Sequence, residues 1–116
     1  MNEKLHINLT PFKSLNSNVL VGRINGQYAR MVLNLDSIDR WIIFSRYLEV
    51  EFQLPDDVYL VNDSFLKGLL QETYKSIGHD AFVARVKFTT NNEVLKPELD
   101  REIKEFINVL REINNK

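Results

Sequence analysis

Four consecutive apolar residues, Val58-Tyr59-Leu60-Val61, run into three polar ones, Asn62-Asp63-Ser64, and then into an apolar pattern of helical spacing. The first four lack the polar alternation of a half-solvated strand, so they read as a strand covered on both faces and central in its sheet. Asn, Asp and Ser are the favoured helix-capping residues. Phe65, Leu66, Leu69, Leu70, Tyr74 and Ile77 then share one helix face, and Gly78 marks its end. A buried strand delivering its chain to a helix start is the elementary unit of a layered α/β fold.

The rest of the chain extends that unit. Leu5, Ile7 and Leu9 alternate with polar neighbours before Pro11, which predicts a first strand, and Val19 to Ile24 predicts a second, ended by a tight Asn25-Gly26 turn. Tyr28, Met31, Val32, Leu35, Ile38 and Ile42 recur every three or four residues, so a helix is expected from about 27 into the low 40s. Trp41 to Phe44 fits either its last turn or a short strand. Tyr28, Trp41 and Tyr47 read as core or partly buried residues. Leu48, Val50 and Phe52 alternate with Glu49, Glu51 and Gln53, and Phe82, Ala84, Val86 and Phe88 alternate with Val83, Arg85 and Lys87, giving two more strands. Pro97 opens a last helix with the stripe Leu99, Ile103, Phe106, Leu110 and Ile113. The order β-β-α-β-β-α-β-α implies one layered α/β domain over residues 1–116, with helices packed on a mixed sheet.

Charge and composition narrow the function. The chain carries 15 basic and 16 acidic residues. Neither half has the excess of Lys and Arg that nucleic-acid binding needs to displace counterions, so no nucleic-acid partner is expected. With no cysteine, thiolate catalysis and cysteine-bound metals are excluded. The longest apolar runs are four residues, against about 20 for a membrane span, and the first residues carry no hydrophobic leader, so a cytoplasmic protein is expected.

The stretch Leu48-Glu49-Val50-Glu51-Phe52, Val58 to Leu66, Leu69-Leu70, Tyr74-Lys75 and Ile77-Gly78 resembles the centre of STAS domains, the fold of anti-sigma-factor antagonists and their STAS-like relatives. In that family a buried strand enters an Asp-Ser-Ser-Gly-Leu type turn whose last serine is phosphorylated. Asn62, Asp63 and Ser64 take the Asp-Ser-Ser places here, with Phe65 and Leu66 in the Gly-Leu places. Gly22 to Gly26 with Tyr28-Ala29-Arg30 is similar to the start of the STAS-like subfamily. The resemblance implies a non-catalytic regulatory domain that needs no cofactor. It further implies a partner like an anti-sigma-type kinase or switch ATPase, with Ser64 as the phosphorylation site. The contact surface would comprise Asn62, Asp63, Phe65, Lys67 and Gly68, together with the Gly22 to Gly26 turn.

Apart from that resemblance, a hydroxyl at a helix start meets unpaired backbone N–H groups and the positive end of the helix dipole, which favour a phosphate. The plainer reading is that Asn62, Asp63 or Ser64 only caps the helix. The mechanism expects residues 58–61 to be dry and Ser64 to be reachable. Gly68, interior to the same helix, points to a close approach, by another element of the fold or by a partner. His6 and His79 lack metal-ligand spacing, and Asp56-Asp57 after Pro55 reads as a turn rather than a Mg²⁺ pair. Two alternatives remain open: a small enzyme or ligand-binding domain with its pocket near residues 62–66, and an oligomer-forming protein using the last helix as a seam.

Overall fold

A computed structural model describes residues 3–13, 18–45 and 48–114. Its elements are β1 (Glu3–Asn8), a 3-10 turn (Thr10–Phe12), β2 (Val19–Leu20), α1 (Arg23–Leu33), α2 (Leu35–Phe44), β3 (Leu48–Gln53), β4 (Leu60–Val61), α3 (Asp63–Ile77), α4 (His79–Arg85), β5 (Val86–Thr89) and α5 (Leu95–Asn114). The strands form two small sheets, β1-β3-β5 and β2-β4, and every pair among the described residues is parallel. The α/β architecture is therefore as expected, but neither sheet is mixed. The segments joining paired strands carry helices, and such crossovers bring the chain back in the same direction.

The central strand is β3. Leu5 faces Val50 and Ile7 faces Phe52 across one side, while Val50 faces Val86 and Phe52 faces Phe88 across the other. These side chains enter the core, and the alternate positions form a polar outer face where Lys4 (3.2 Å) and His6 (3.3 Å) reach Glu51. The alternation from Leu48 to Gln53 thus sorts its residues between two faces as its period requires.

The segment 58–61 is not central, contrary to expectation. Within it Leu60 and Val61 are strand, paired among the described residues with β2 alone; Val58 and Val61 are buried, but Tyr59 is 59% and Leu60 40% exposed. The turn at Asp56-Asp57 and the helix beginning at Asp63 leave room for a two-residue ladder with one neighbour, so half of the apolar run faces outward.

Other corrections follow from backbone geometry. The second strand stops at Leu20, because Gly22 (φ +94) turns the chain and α1 begins at Arg23, placing Asn25-Gly26 inside a helix. Gly26 serves helix packing, not a turn. A Cβ on Gly26 would lie 2.2 Å from the Phe65 carbonyl oxygen, and one on Gly68 would lie 2.2 Å from that of Arg23. Backbones of α1 and α3 therefore touch where neither has a side chain.

The expected long helix is two helices. Asn34 adopts the left-handed conformation (φ 53, ψ 50), which asparagine tolerates, and separates α1 from α2; Trp41 to Phe44 is helical. That break rotates the two halves of the predicted stripe apart. Leu35 and Ile42 are buried and Ile38 is partly buried, whereas Tyr28, Met31 and Val32 are exposed. Trp41 is exposed as well, and Tyr47 lies outside the described residues.

The predicted strand from Phe82 is helix α4 up to Arg85, and only then strand. Phe82 and Val86, both buried, are spaced by four as well as by an even number, so the apolar pattern fits either form. Helix wins because Gly78 (φ +87) restarts the chain and Arg85 Nη1 donates to the Ile42 (2.6 Å) and Ser45 carbonyls at the end of α2. Helix α5 begins two residues before Pro97, where Asn92 Oδ1 accepts from the Val94 (3.0 Å) and Leu95 (3.3 Å) amides. Its Leu99, Phe106 and Leu110 are buried in the chain's own core, Ile103 packs against it and Ile113 is exposed. No helix among the described residues is long and apolar enough to cross a membrane.

Candidate functional site

Strands β2 and β4 lie in register, Val19 beside Leu60 and Leu20 beside Val61, so the helices that follow them start side by side. Asn62 joins the two starts. Its backbone is extended (φ −104, ψ 164), and its Oδ1 accepts from the Phe65 amide (3.0 Å) and the Gly22 amide (3.3 Å). The first contact caps α3, while the second holds the turn into α1, whose own N-cap, Gly22, has no side chain to offer.

Ser64 lies in the first turn of α3 and is half-buried. Asn62 provides the cap, so the serine hydroxyl is not needed for it. Asp63 places a carboxylate at the positive end of the helix dipole and pairs with Lys67 one turn on (3.4 Å). Asn62, Asp63, Ser64 and Lys67 thus gather at one accessible corner. Phe65 and Gly68, expected at the same contact surface, do not join them. Phe65 is fully buried among core side chains, and Gly68 is covered by the α1 backbone. Of the two readings of Gly68, the close approach is by an element of the fold. The other condition, a dry strand at residues 58–61, fails at Tyr59 and Leu60, so any role for Ser64 rests on the helix start alone.

A second polar cluster has no single sequence signal. Arg30 Nη1 donates to the Thr73 hydroxyl (2.8 Å) and the Leu69 carbonyl (3.1 Å), and its Nη2 donates to Asp36 (2.7 Å) and Asp39. The Thr73 hydroxyl donates to the buried Asp39 carboxylate (2.6 Å). Burial alone would lower the guanidinium pKa, but the bonds to Asp39 and Asp36 outweigh it and raise it. No buried side-chain polar atom among the described residues lacks a partner, so this cluster is saturated and locks the α1–α2 elbow onto α3. An Arg and an Asp on the inward faces of α1 and α2 were the available sequence clue; Thr73, which bonds to both, is remote in the chain.

A cavity of about 240 Å³ lies beside that elbow, bordered by Gln27, Arg30, Asn34 and Asp36. Another of about 300 Å³ sits at the C-terminal ends of β1 and β3, bordered by Asn8, Thr10, Lys13 and residues 53–57. There Lys13 bonds to Asp57 and holds its carboxyl below the usual aspartate range. Asp56 and Asp57 form the expected turn. His6 bonds to Gln53 (2.8 Å), and His79, at the start of α4, shares a hydrogen bond with the Tyr74 hydroxyl (2.7 Å). Among the described residues no three His, Asp or Glu side chains gather as metal ligands. Comparison with protein-family models, curated proteins and solved structures finds no match.

Proposed function

We propose that this chain is a non-catalytic protein-binding domain of STAS-like regulatory type, with its contact surface at the joined starts of α1 and α3 and with Ser64 as a phosphorylation switch. The observation that carries the reading is the division of labour between neighbours: Asn62 caps α3, leaving the Ser64 hydroxyl on a half-exposed first turn without that duty. A phosphate there adds about 1.5–2 negative charges and three acceptor oxygens. The helix start accommodates an anion, worth about 0.3–1 kcal/mol per charge, so the fold persists while the corner, balanced between Asp63 and Lys67, becomes negative. The partner class, an anti-sigma-type kinase or switch ATPase, follows from the resemblance.

The test compares partner capture from the native host by the wild type, Ser64→Ala and Ser64→Asp, with circular dichroism as the control for folding. The alanine variant is expected to keep the partner, and the aspartate variant to lose about tenfold or more in affinity, equivalent to about 1.4 kcal/mol. Equal capture by three equally folded proteins overturns the switch.

A further inference from the structure

Helix α1 carries its apolar stripe on the side away from the fold. Its inward face is made by Gly26, Ala29, Arg30 and Leu33, whereas Ile24 (79% exposed), Tyr28 (56%), Met31 (70%) and Val32 (53%) line the opposite side at helical spacing. We propose that this face is the interface of a homodimer and is covered by α1 of a second copy of this chain, running antiparallel.

Area is the first argument. The four side chains present on the order of 500 Å² of mostly apolar surface, given their exposures and the usual areas of such side chains. A stable interface buries about 800 Å² on each partner, of which roughly 56–65% is apolar, so this one stripe suffices as the apolar centre of a standard interface. It also reaches the size of the largest patch on an ordinary monomer, about 300–600 Å². Charge is the second. A face that meets its own two-fold image brings identical residues together, so any charge near the axis repels itself. From Ile24 to Val32 the only charged residue is Arg30, which points inward to Asp36, Asp39 and Thr73.

The ends are complementary when the helices are antiparallel. The positive dipole end of one α1 then lies beside the negative C-terminal end of the other. Tyr28 stands midway along the stripe, near the two-fold axis. Its ring is already set edge-on against Phe12 (centroids 6.2 Å apart, planes at 73°), so little side-chain freedom remains to be lost on pairing. Ser64 takes no part in this contact.

The experiment is sedimentation velocity from about 1 to about 500 µM, a range that brackets weak and moderate dimers. The wild type is expected to shift from monomer to dimer. Met31→Glu should weaken dimerisation at least tenfold with unchanged circular dichroism, because the residue is exposed. Val94→Glu, at a still more exposed residue placed before α5, should behave as wild type. The cysteine-free background permits a geometric check: Tyr28→Cys should form an intermolecular disulfide under mild oxidation, and Arg23→Cys should not. A wild type monomeric throughout overturns the proposal, whether the face then binds lipid vesicles or another protein. So does a Met31→Glu dimer as tight as the wild type.

Discussion

Helices α1 and α3 each follow a two-residue strand of the same parallel ladder, and their first turns lie side by side at Gly22 and Asn62. From that shared start they diverge. Helix α3 packs against α1, α2, α4 and α5, so it is enclosed, and its Phe65, Leu66, Leu69, Leu70 and Tyr74 are all buried. Helix α1 packs chiefly on α3, by way of two glycines, and turns Ile24, Tyr28, Met31 and Val32 outward. Both stripes satisfy the same 3.6-residue period. Periodicity says that a helix has a face to cover; the neighbours decide whether the rest of the chain covers it.

The sharpest way to break this comparison is a matched pair of truncations. Leu69→Ala removes a fully buried side chain and should cost about 2–5 kcal/mol in urea unfolding, whereas Met31→Ala, in dilute monomer, should stay within about 0.5 kcal/mol of wild type. Comparable losses at both positions would mean that Met31 is packed within the chain after all.

Smaller effects test the joint between the helices. Gly68→Ala sets a methyl group 2.2 Å from the Arg23 carbonyl, and because both sides are backbone the helices must separate, at a cost of about 1–3 kcal/mol. An unchanged melting temperature would contradict the backbone contact. Asn62→Ala removes the α3 cap and the bond to the Gly22 amide, and should cost about 1 kcal/mol by chemical denaturation. If Ser64→Ala costs as much as Asn62→Ala, the serine shares the capping role and the assignment of its free hydroxyl fails.

The same contrast separates what was legible in the sequence from what was not. Strands β1 and β3 and helices α3 and α5 were legible because their signals are local: strict alternation in Leu48 to Gln53, and a polar triplet followed by a helical stripe and Gly78. The Asn34 break was not, since asparagine occupies the left-handed region in some settings and the right-handed helix in others. Nor was the outward turn of α1, which depends on Gly26 meeting Gly68 from far along the chain. The pair Asn25-Gly26 looks locally like a turn, and its glycine is used in three dimensions as a contact. At the candidate site, the capping triplet was visible and Asn62 could be named among its members, but its bond to Gly22 requires β2 and β4 to be in register. Thr73, which bonds to both Arg30 and Asp39, carried no local mark at all.

Thiol labelling puts the division between the two helices to the most direct test. The chain has no cysteine, so Met31→Cys and Leu69→Cys each introduce a single reporter. In native buffer at low micromolar concentration, a bulky maleimide should modify the thiol at position 31 at nearly the rate of a free peptide. The thiol at position 69 should react only as fast as the protein unfolds, and raising the concentration should slow labelling at 31 alone. A protected thiol at position 31 in dilute solution, or a readily modified one at position 69, would contradict the account.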